Sequence, residues 1–411
     1  MIYLDHNAIT PMRPEAIAAV ERALRVFGNP SSIHAAGRAA RDLLDGARAQ
    51  VGSALGARPS ELVLTSGATE AAALALRGVL AASPPDRRRL VVTSVEHPCV
   101  LSLARALEKA GTPLTVVPVD RRGLVDPEAF RAALGPDVAL ACAMRANNET
   151  GVLLPVRELA AAARQVGAPF FCDAVQAAGK IALDVRELGA DLVAITGQKF
   201  GGPRGAGALW ITPGLPLAAV VGGEQERGRR GGTENLPGIA GLGAALETAV
   251  RSREAEEQRL AALRDRLEQG LLAAVPHARV NGAGAPRLPN TCSITFEGAD
   301  AETLLIALES GGAVRQRRRR LPLRLDQALW RAAGARPDRG RGALHAAPVA
   351  GLELHARGRR GRAAPHPAAR GAGAGGGEGL AGAGRARGRR CASPRSSVTR
   401  AGTCAGPCFG P

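Results

Sequence analysis

An alternation constrains this chain more than any other feature. Seven short apolar runs lie between Leu62 and Ile211, separated by stretches of helical spacing. Leu62–Thr65, Leu90–Thr93, Leu114–Val119, Val138–Ala143, Pro169–Cys172, Asp191–Ile195 and Ala206–Ile211 read as strands. Thr69–Ala82, Cys99–Ala110 and Pro155–Val166 carry Ala and Leu at helical intervals. Apolar strands alternating with helices predict an α/β fold with a mainly parallel sheet covered on both faces. Asn235 to about Ala274 predicts a long helix, broken or bent near its glycines, that connects to a second unit. Cys292–Phe296 then predicts a strand and Ala301–Glu309 a helix.

Charge divides the chain at Gly312. Up to that point 33 Lys and Arg balance 33 Asp and Glu; beyond it 21 Arg face 4 acidic residues, which accounts for the whole net charge of +17. Ala, Gly, Arg and Pro make up more than two-thirds of the later stretch, and no period is sustained after Val314. Such a segment buries too little apolar surface to offset its ordering entropy, which predicts disorder. The expected organisation is an N-terminal segment of a small domain over 1–15, a large domain over 16–250, a partial small domain over 251–314 and a basic tail over 315–411. The opening residues lack a basic stretch followed by an apolar one, so no signal peptide is expected. No uncharged apolar run approaches about 18 residues, so no membrane span is expected. Seven cysteines lack CxxC pairing, and Cys142 and Cys172 lie in strand-like runs. They read as buried reduced thiols, which suits the cytoplasm.

In open α/β sheets, ligands bind beyond the carboxyl ends of the strands. Ser66-Gly67-Ala68-Thr69-Glu70 follows the first strand and opens a helix, a turn whose free N–H groups suit a phosphate. Alone it is also an ordinary helix start. Glu96-His97-Pro98 follows the second strand; a lone His there suits a structural role as well as a catalytic one. Asp173 follows Pro169–Cys172, where a buried acid calls for a cation. Lys199 is one of only three lysines, with Lys109 and Lys180, and it alone follows a strongly apolar strand. A partly buried lysine loses basicity and becomes a nucleophile. Asp173 and Lys199 are 26 residues apart, about one βαβ unit, so they can share a sheet edge. A carboxylate, a Schiff-base lysine and a phosphate cup together point to pyridoxal 5'-phosphate chemistry.

Over Tyr3 to about Gly312 the chain resembles the cysteine desulfurases, in the class V aminotransferase group of fold-type I pyridoxal phosphate enzymes. The resemblance rests on Tyr3-Leu4-Asp5-His6-Asn7-Ala8, Phe27-Gly28-Asn29-Pro30-Ser31-Ser32-Ile33-His34, Thr65 to Glu70, Glu96-His97-Pro98, Ala146-Asn147-Asn148-Glu149-Thr150-Gly151, Asp173-Ala174-Val175-Gln176 and Arg230-Gly231-Gly232-Thr233-Glu234-Asn235. It implies a seven-stranded, mainly parallel sheet in a large domain that binds the cofactor, with a smaller α+β domain left incomplete. It implies that Lys199 carries the cofactor and moves protons, and that His97 stacks on its ring and assists. Asp173 would hold the ring nitrogen protonated and Gln176 would bond the ring hydroxyl. Thr69 and Thr196 would bind the phosphate, with backbone near Ala68 and Gly197. Asn148 would touch both cofactor and amino acid, and Thr233 would reach a neighbouring subunit's phosphate, implying a homodimer. The implied reaction takes L-cysteine to L-alanine plus enzyme-bound sulfur for a sulfur-acceptor or scaffold protein in iron–sulfur or thio-cofactor synthesis. Gln198 stands where the family usually has His, which implies weaker phosphate binding. Ile9 replaces a usual Thr, and Arg145 occupies a position the family varies.

One departure outweighs these. The family's sulfur-accepting cysteine sits on a loop resembling S-S-G-S-A-C-x-S-G-S, shortly after a strand at this point, and a later arginine binds the substrate carboxylate. Here Arg315-Gln316-Arg317-Arg318-Arg319-Arg320 replaces that loop, and the next cysteine is Cys391. Arg greatly outnumbers Lys, as in a GC-rich gene. Shifted by one base, with Arg taken as CGN, the codons of Val314–Gln327 permit S-G-S-G-A-A-A-C-P-S-G-S-T. A frameshift therefore accounts for the break, and the chain as written is expected to bind cofactor without forming a persulfide. Two other readings are a class V aminotransferase or β-lyase that needs no cysteine, and an RNA-binding protein acting through its basic tail. Arginine blocks do bind nucleic acid phosphates, but stacking aromatics are limited to Trp330 and Phe409 in that stretch, so such binding would be adventitious.

Overall fold

A computed structural model describes residues 2–310, 313–314 and 343–346. The chain opens with β1 (Ile2–Tyr3), then α1 (Pro14–Leu24) and α2 (Ala35–Leu55). The sheet region follows as β2 (Leu62–Thr65), α3 (Ala68–Ala82), β3 (Arg89–Thr93), α4 (Pro98–Lys109), β4 (Leu114–Val117), α5 (Pro127–Ala132) and β5 (Val138–Cys142). It continues through α6 (Val156–Gln165), β6 (Phe170–Asp173), α7 (Val185–Leu188), β7 (Leu192–Thr196) and β8 (Gly207–Ile211). The remainder is α8 (Leu236–Ala274), β9 (Ala278–Val280), β10 (Cys292–Phe296), α9 (Ala301–Ser310), β11 (Ala313–Val314) and β12 (Ala343–Ala346).

Seven strands form one sheet in the order β2-β8-β7-β6-β5-β3-β4. Only β8 runs against its neighbours; the other pairings are parallel. Side chains alternate between two cores, as the period of a strand requires. Leu62, Leu64, Val91, Val193 and Ile195 face a core shared with α1, α2, α6 and α8. Val63, Leu90, Val92, Leu192 and Ala194 face a core shared with α3 and α4. The α/β class and the strand positions therefore match the sequence pattern. Cys142 and Cys172 are buried free thiols, as their runs predicted.

Three expectations need revision. The long helix is not broken: α8 runs unbroken for 39 residues. Gly241 and Gly243 are there for close packing. A Cβ on Gly241 would meet Val20 and Pro203 at under 3.0 Å, and one on Gly243 would meet the Ala47 carbonyl at 2.9 Å. The predicted disorder after Val314 does not hold at Ala343–Ala346, which pairs antiparallel with β10 from Cys292↔Ala346 to Thr295↔Ala343. Main-chain pairing needs no apolar period, so nothing in the residue pattern marked it. The strand read as Pro169–Cys172 is shifted by one, so Asp173 is the last residue of β6. The replaced loop at Arg315–Arg320, Trp330, Cys391 and Phe409 lie outside the described residues. Two small sheets complete the fold: β1 pairs parallel with β11, and β10 lies between β9 and β12.

Candidate active site

The carboxyl ends of the parallel strands converge on one edge. The first component there is a turn built from backbone. Thr65 ends β2, and its hydroxyl donates to the Gly67 carbonyl at 3.0 Å. Gly67 has φ +150°, and no side chain caps the first turn of α3 behind it. Those N–H groups are available to an anion, and the helix dipole favours one there. The turn is pressed against β7 and β8. A Cβ on Gly67 would sit 3.4 Å from Thr196 Oγ1, and one on Gly207 would sit 2.7 Å from Gly67 Cα. Thr196, buried at the end of β7, thus lies beside Gly67, and its Oγ1 is 3.4 Å from Gln198 Oε1. Thr69 is exposed in the first turn and hydrogen-bonds Cys99. Ala68 and Gly197 frame the two turns.

The second component is a buried titratable layer. Asp173 is buried, its Oδ1 accepts the Val175 N–H at 2.9 Å, and burial raises its carboxyl to about 6 against the pull of Lys199. Lys199 sits in the short turn after β7 and donates to the Asn7 and Ala8 carbonyls, both at 2.8 Å. Burial lowers its pKa, while Asp173 and Asp5 oppose the shift. Gln176 is buried; its Nε2 donates to the Asn7 carbonyl at 2.9 Å and its Oε1 accepts from Lys180 Nζ at 2.5 Å. His97 caps α4, its Nδ1 accepting the Cys99 N–H at 3.2 Å. Burial and then Lys199 lower its pKa, and Glu149 raises it. The structure thus brings Asp173, Lys199, His97, Gln176, Thr196 and the Gly67 turn to one edge. Asn148 joins them through its carbonyl, which accepts from Asn7 Nδ2 at 3.3 Å.

Thr233 stands apart. It is exposed, on a loop that Arg230 ties to Glu70 in the first turn of α3 at 2.7 Å. Upstream, Glu226 and Arg227 hold left-handed φ of 50° and 59°. Glu226 is buried in a bidentate pair with Arg48 at 2.8 and 2.6 Å, and it also accepts the Leu64 N–H. Removing one partner of such a pair costs about 3–5 kcal/mol, enough to hold that backbone in place.

Four contributors escaped the sequence reading. Asn7 is a hub whose Nδ2 also donates to Thr291 Oγ1 at 3.1 Å. Lys180 is half-buried and its pKa falls to about 7, from burial first and Lys199 second. Glu96 Oε1 accepts from Thr93 and from the Met144 N–H, while its buried Oε2 has no hydrogen-bond partner. Its carboxyl is pushed up to about 8, chiefly by burial and further by Asp173. Glu96 is therefore protonated at neutral pH, leaving Asp173 the anion of the pair. The fourth is Cys99, whose Sγ lies 3.0 Å from His97 Nδ1. Glu96 and Lys180 lie in or beside these motifs, but only the fold shows Glu96 buried near Asp173 and Lys180 close to Lys199.

The donor set fits pyridoxal 5'-phosphate. A cup of backbone N–H groups is open to an anion, a buried carboxylate forms no ion pair among the described residues, and an amine of lowered basicity stands near it. No described helix is long and apolar enough to cross a membrane. The aminotransferase class-V family model matches residues 2–316, ending where the arginine run begins. A cysteine desulfurase of Cereibacter sphaeroides is 47% identical over 315 residues, covering 76% of this chain and 80% of that protein. Among solved structures, a NifS-like protein superposes with TM-score 0.78 at 31% identity, over 84% of this chain and 93% of that one. SspA in complex with cysteine superposes with TM-score 0.72 at 27% identity, over 85% of this chain and 99% of that one. The chain belongs to the cysteine desulfurase family of class-V aminotransferase enzymes.

Proposed function

We propose that this chain binds pyridoxal 5'-phosphate at the strand ends and takes L-cysteine as its amino acid. The observation that carries this reading is the buried Asp173–Lys199 couple set beside the Gly67 cup. When bound, the cofactor would supply an electron sink for bonds broken at the amino acid's α-carbon. Lys199 would hold the cofactor through its Nζ and would move a proton to and from the amino acid. Asp173, anionic because Glu96 keeps its own proton, would hold the ring nitrogen. Gln176 is oriented by Lys180 and Asn7, leaving its second amide hydrogen for the ring oxygen. The Ala68 and Gly197 backbone, with Thr69, Thr196 and Gln198, would hold the phosphate, and His97 would stack on the ring. Asn148 lies where the amino acid enters. Thr233, exposed on its loop, would serve a second copy of the chain in a homodimer.

Among the described residues no cysteine is suited to accept the sulfur. An accepting cysteine must reach the substrate as a thiolate. Among the described cysteines, Cys142, Cys172 and Cys292 are buried, and the Cys99 thiol is pushed up to about 12 by burial and the nearby Asp173 and Glu96. The arginine run at 315–320 stands where the family's loop belongs. Purified chain with added cofactor is expected to show lysine-linked absorbance and a change on adding L-cysteine, without persulfide. Absent absorbance would overturn cofactor binding; alanine and sulfide release at a family-like rate would overturn the loss of sulfur transfer. Resequencing codons 305–330 tests the frameshift, because a single-base change there would restore the loop.

A further inference from the structure

Cys99 occupies the first turn of α4, two residues after His97. Its backbone N–H donates to His97 Nδ1 at 3.2 Å, so Nδ1 carries no hydrogen and acts as an acceptor. The Cys99 Sγ approaches the same nitrogen at 3.0 Å. A nitrogen already accepting cannot donate to that sulfur, so the S–H must be the donor. The Thr69 hydroxyl in the first turn of α3 donates toward the sulfur and opposes, without cancelling, the upward push of burial on the thiol. We propose that Cys99 is a positioning residue: its thiol hydrogen-bonds His97 Nδ1 and holds the imidazole in the neutral form that carries its proton on Nε2.

The inference rests on reading His97 as a proton-moving residue, but the tautomer itself does not. It requires a thiol that keeps its hydrogen. Burial does this first, and the charge of Asp173 at the end of β6 adds to it. The same surroundings disqualify Cys99 as a substitute sulfur acceptor, since thiols attack as thiolates. Around His97 the charged groups are Lys199 from the turn after β7, which opposes protonation, and Glu149 from the loop after β5, which favours it. The thiol adds a donor that stabilises the neutral ring alone.

The test is nitrogen NMR of the full chain labelled with ¹⁵N-histidine, with His97 assigned by loss of its signals in His97→Gln. In the unmodified chain Nδ1 should resonate as an unprotonated nitrogen and Nε2 as a protonated one. Cys99→Ala and Cys99→Val both remove the donor, and Val fills the thiol's space so that entering water is not the cause. In both, the His97 titration midpoint should rise by about half a unit to one unit. Cys99→Ser, which restores a donor, should return it to the unmodified value. A proton on Nδ1 in the unmodified chain, or a midpoint that Cys99→Val leaves unchanged, overturns the proposal. None of these signals needs the cofactor, so failure of the unmodified chain to bind pyridoxal phosphate would count against the proposed function only.

Discussion

The Gly67–Gly207 cup and the Asp173–Lys199 layer lie at one sheet edge but are made of different materials. The cup is backbone: two glycines, a helix start and a short turn, all within a few residues of strand ends. The layer is side chains from six places in the chain, namely Asn7, Glu96, Asp173, Gln176, Lys180 and Lys199, most of them buried and several with displaced pKa values. A cup of backbone N–H groups has the same charge at every ordinary pH. A buried layer of acids and amines does not, and each member's state depends on its neighbours. Changes in the layer should therefore alter chemistry and pH dependence, whereas changes in the cup should act through shape.

The largest effect is expected at Lys199. Lys199→Ala should abolish lysine-linked cofactor absorbance and slow the amino-acid-induced spectral change by about 10²- to 10⁴-fold, with the thermal melt retained. Lys180→Met is the informative partner. Lys180 also has lowered basicity, yet its Nζ is committed to Gln176 and Asn7. Absorbance retained in Lys199→Ala and lost in Lys180→Met would exchange the two assignments and break the layer as described.

Glu96 comes next, because its effect should appear as a pH slope. Its folded carboxyl is raised to about 8, so the folded protein holds a proton that the unfolded chain releases near 4.5. Its contribution to stability is then full at low pH and is lost as pH rises toward 8. Asp173, raised to about 6, acts in the same sense at lower pH. Lys180 acts oppositely above about 7, where the unfolded chain binds the extra proton. Glu96→Gln stays neutral throughout. Denaturant unfolding should show it close to the unmodified chain near pH 4 and more stable near pH 8, by up to about 4 kcal/mol. Parallel pH curves for the two would show that Glu96 ionises freely.

These differences track what could be read before the fold was known. Strand-end motifs announce themselves: Gly67 after an apolar run, Lys199 after another and Asp173 at a third place the cup and its nucleophile from local pattern alone. The layer behind them is a product of topology. Asn7 lies 192 positions from Lys199, and only the packing of the N-terminal turn against β7 puts its carbonyl on that amine. Glu96 read as part of a motif without a role, because its burial comes from β5 through the Met144 N–H. The glycines of α8 suggested a break because propensity is local, while their use is contact with α2 and Pro203. Ala343–Ala346 shows the same limit, since a strand recruited by the edge of β10 has no period of its own.

Gly207→Ala tests the shape argument. The added methyl would lie 2.7 Å from both Gly67 Cα and the Ile195 carbonyl, and neither is a flexible side chain that can swing away. A loss of about 1–3 kcal/mol is expected in denaturant unfolding. Phosphate affinity should weaken with it, with no change in the His97 titration. A shifted His97 midpoint would mean that the cup and the layer are mechanically one unit.

The smallest effect is expected at the cup's rim, from Gln198→His. Gln198 is held between Thr196 Oγ1, 3.4 Å from its Oε1, and the Thr10 N–H, which donates to its carbonyl at 2.9 Å. Its backbone would stay in place after substitution, because Thr10 reads only the carbonyl. A histidine can present an N–H where Gln presents an amide, and when protonated it adds a charge-assisted bond to the phosphate. Most of the binding free energy should already come from the backbone cup, so the gain should be only about threefold to tenfold at pH 7. It should shrink as pH rises past the histidine's own pKa, giving a pH dependence that the Gln198 protein lacks. Cofactor titration by fluorescence at pH 6 and pH 8.5 measures both. A gain that is large and the same at both pH values would show that the rim, rather than the Gly67 turn, dominates phosphate binding.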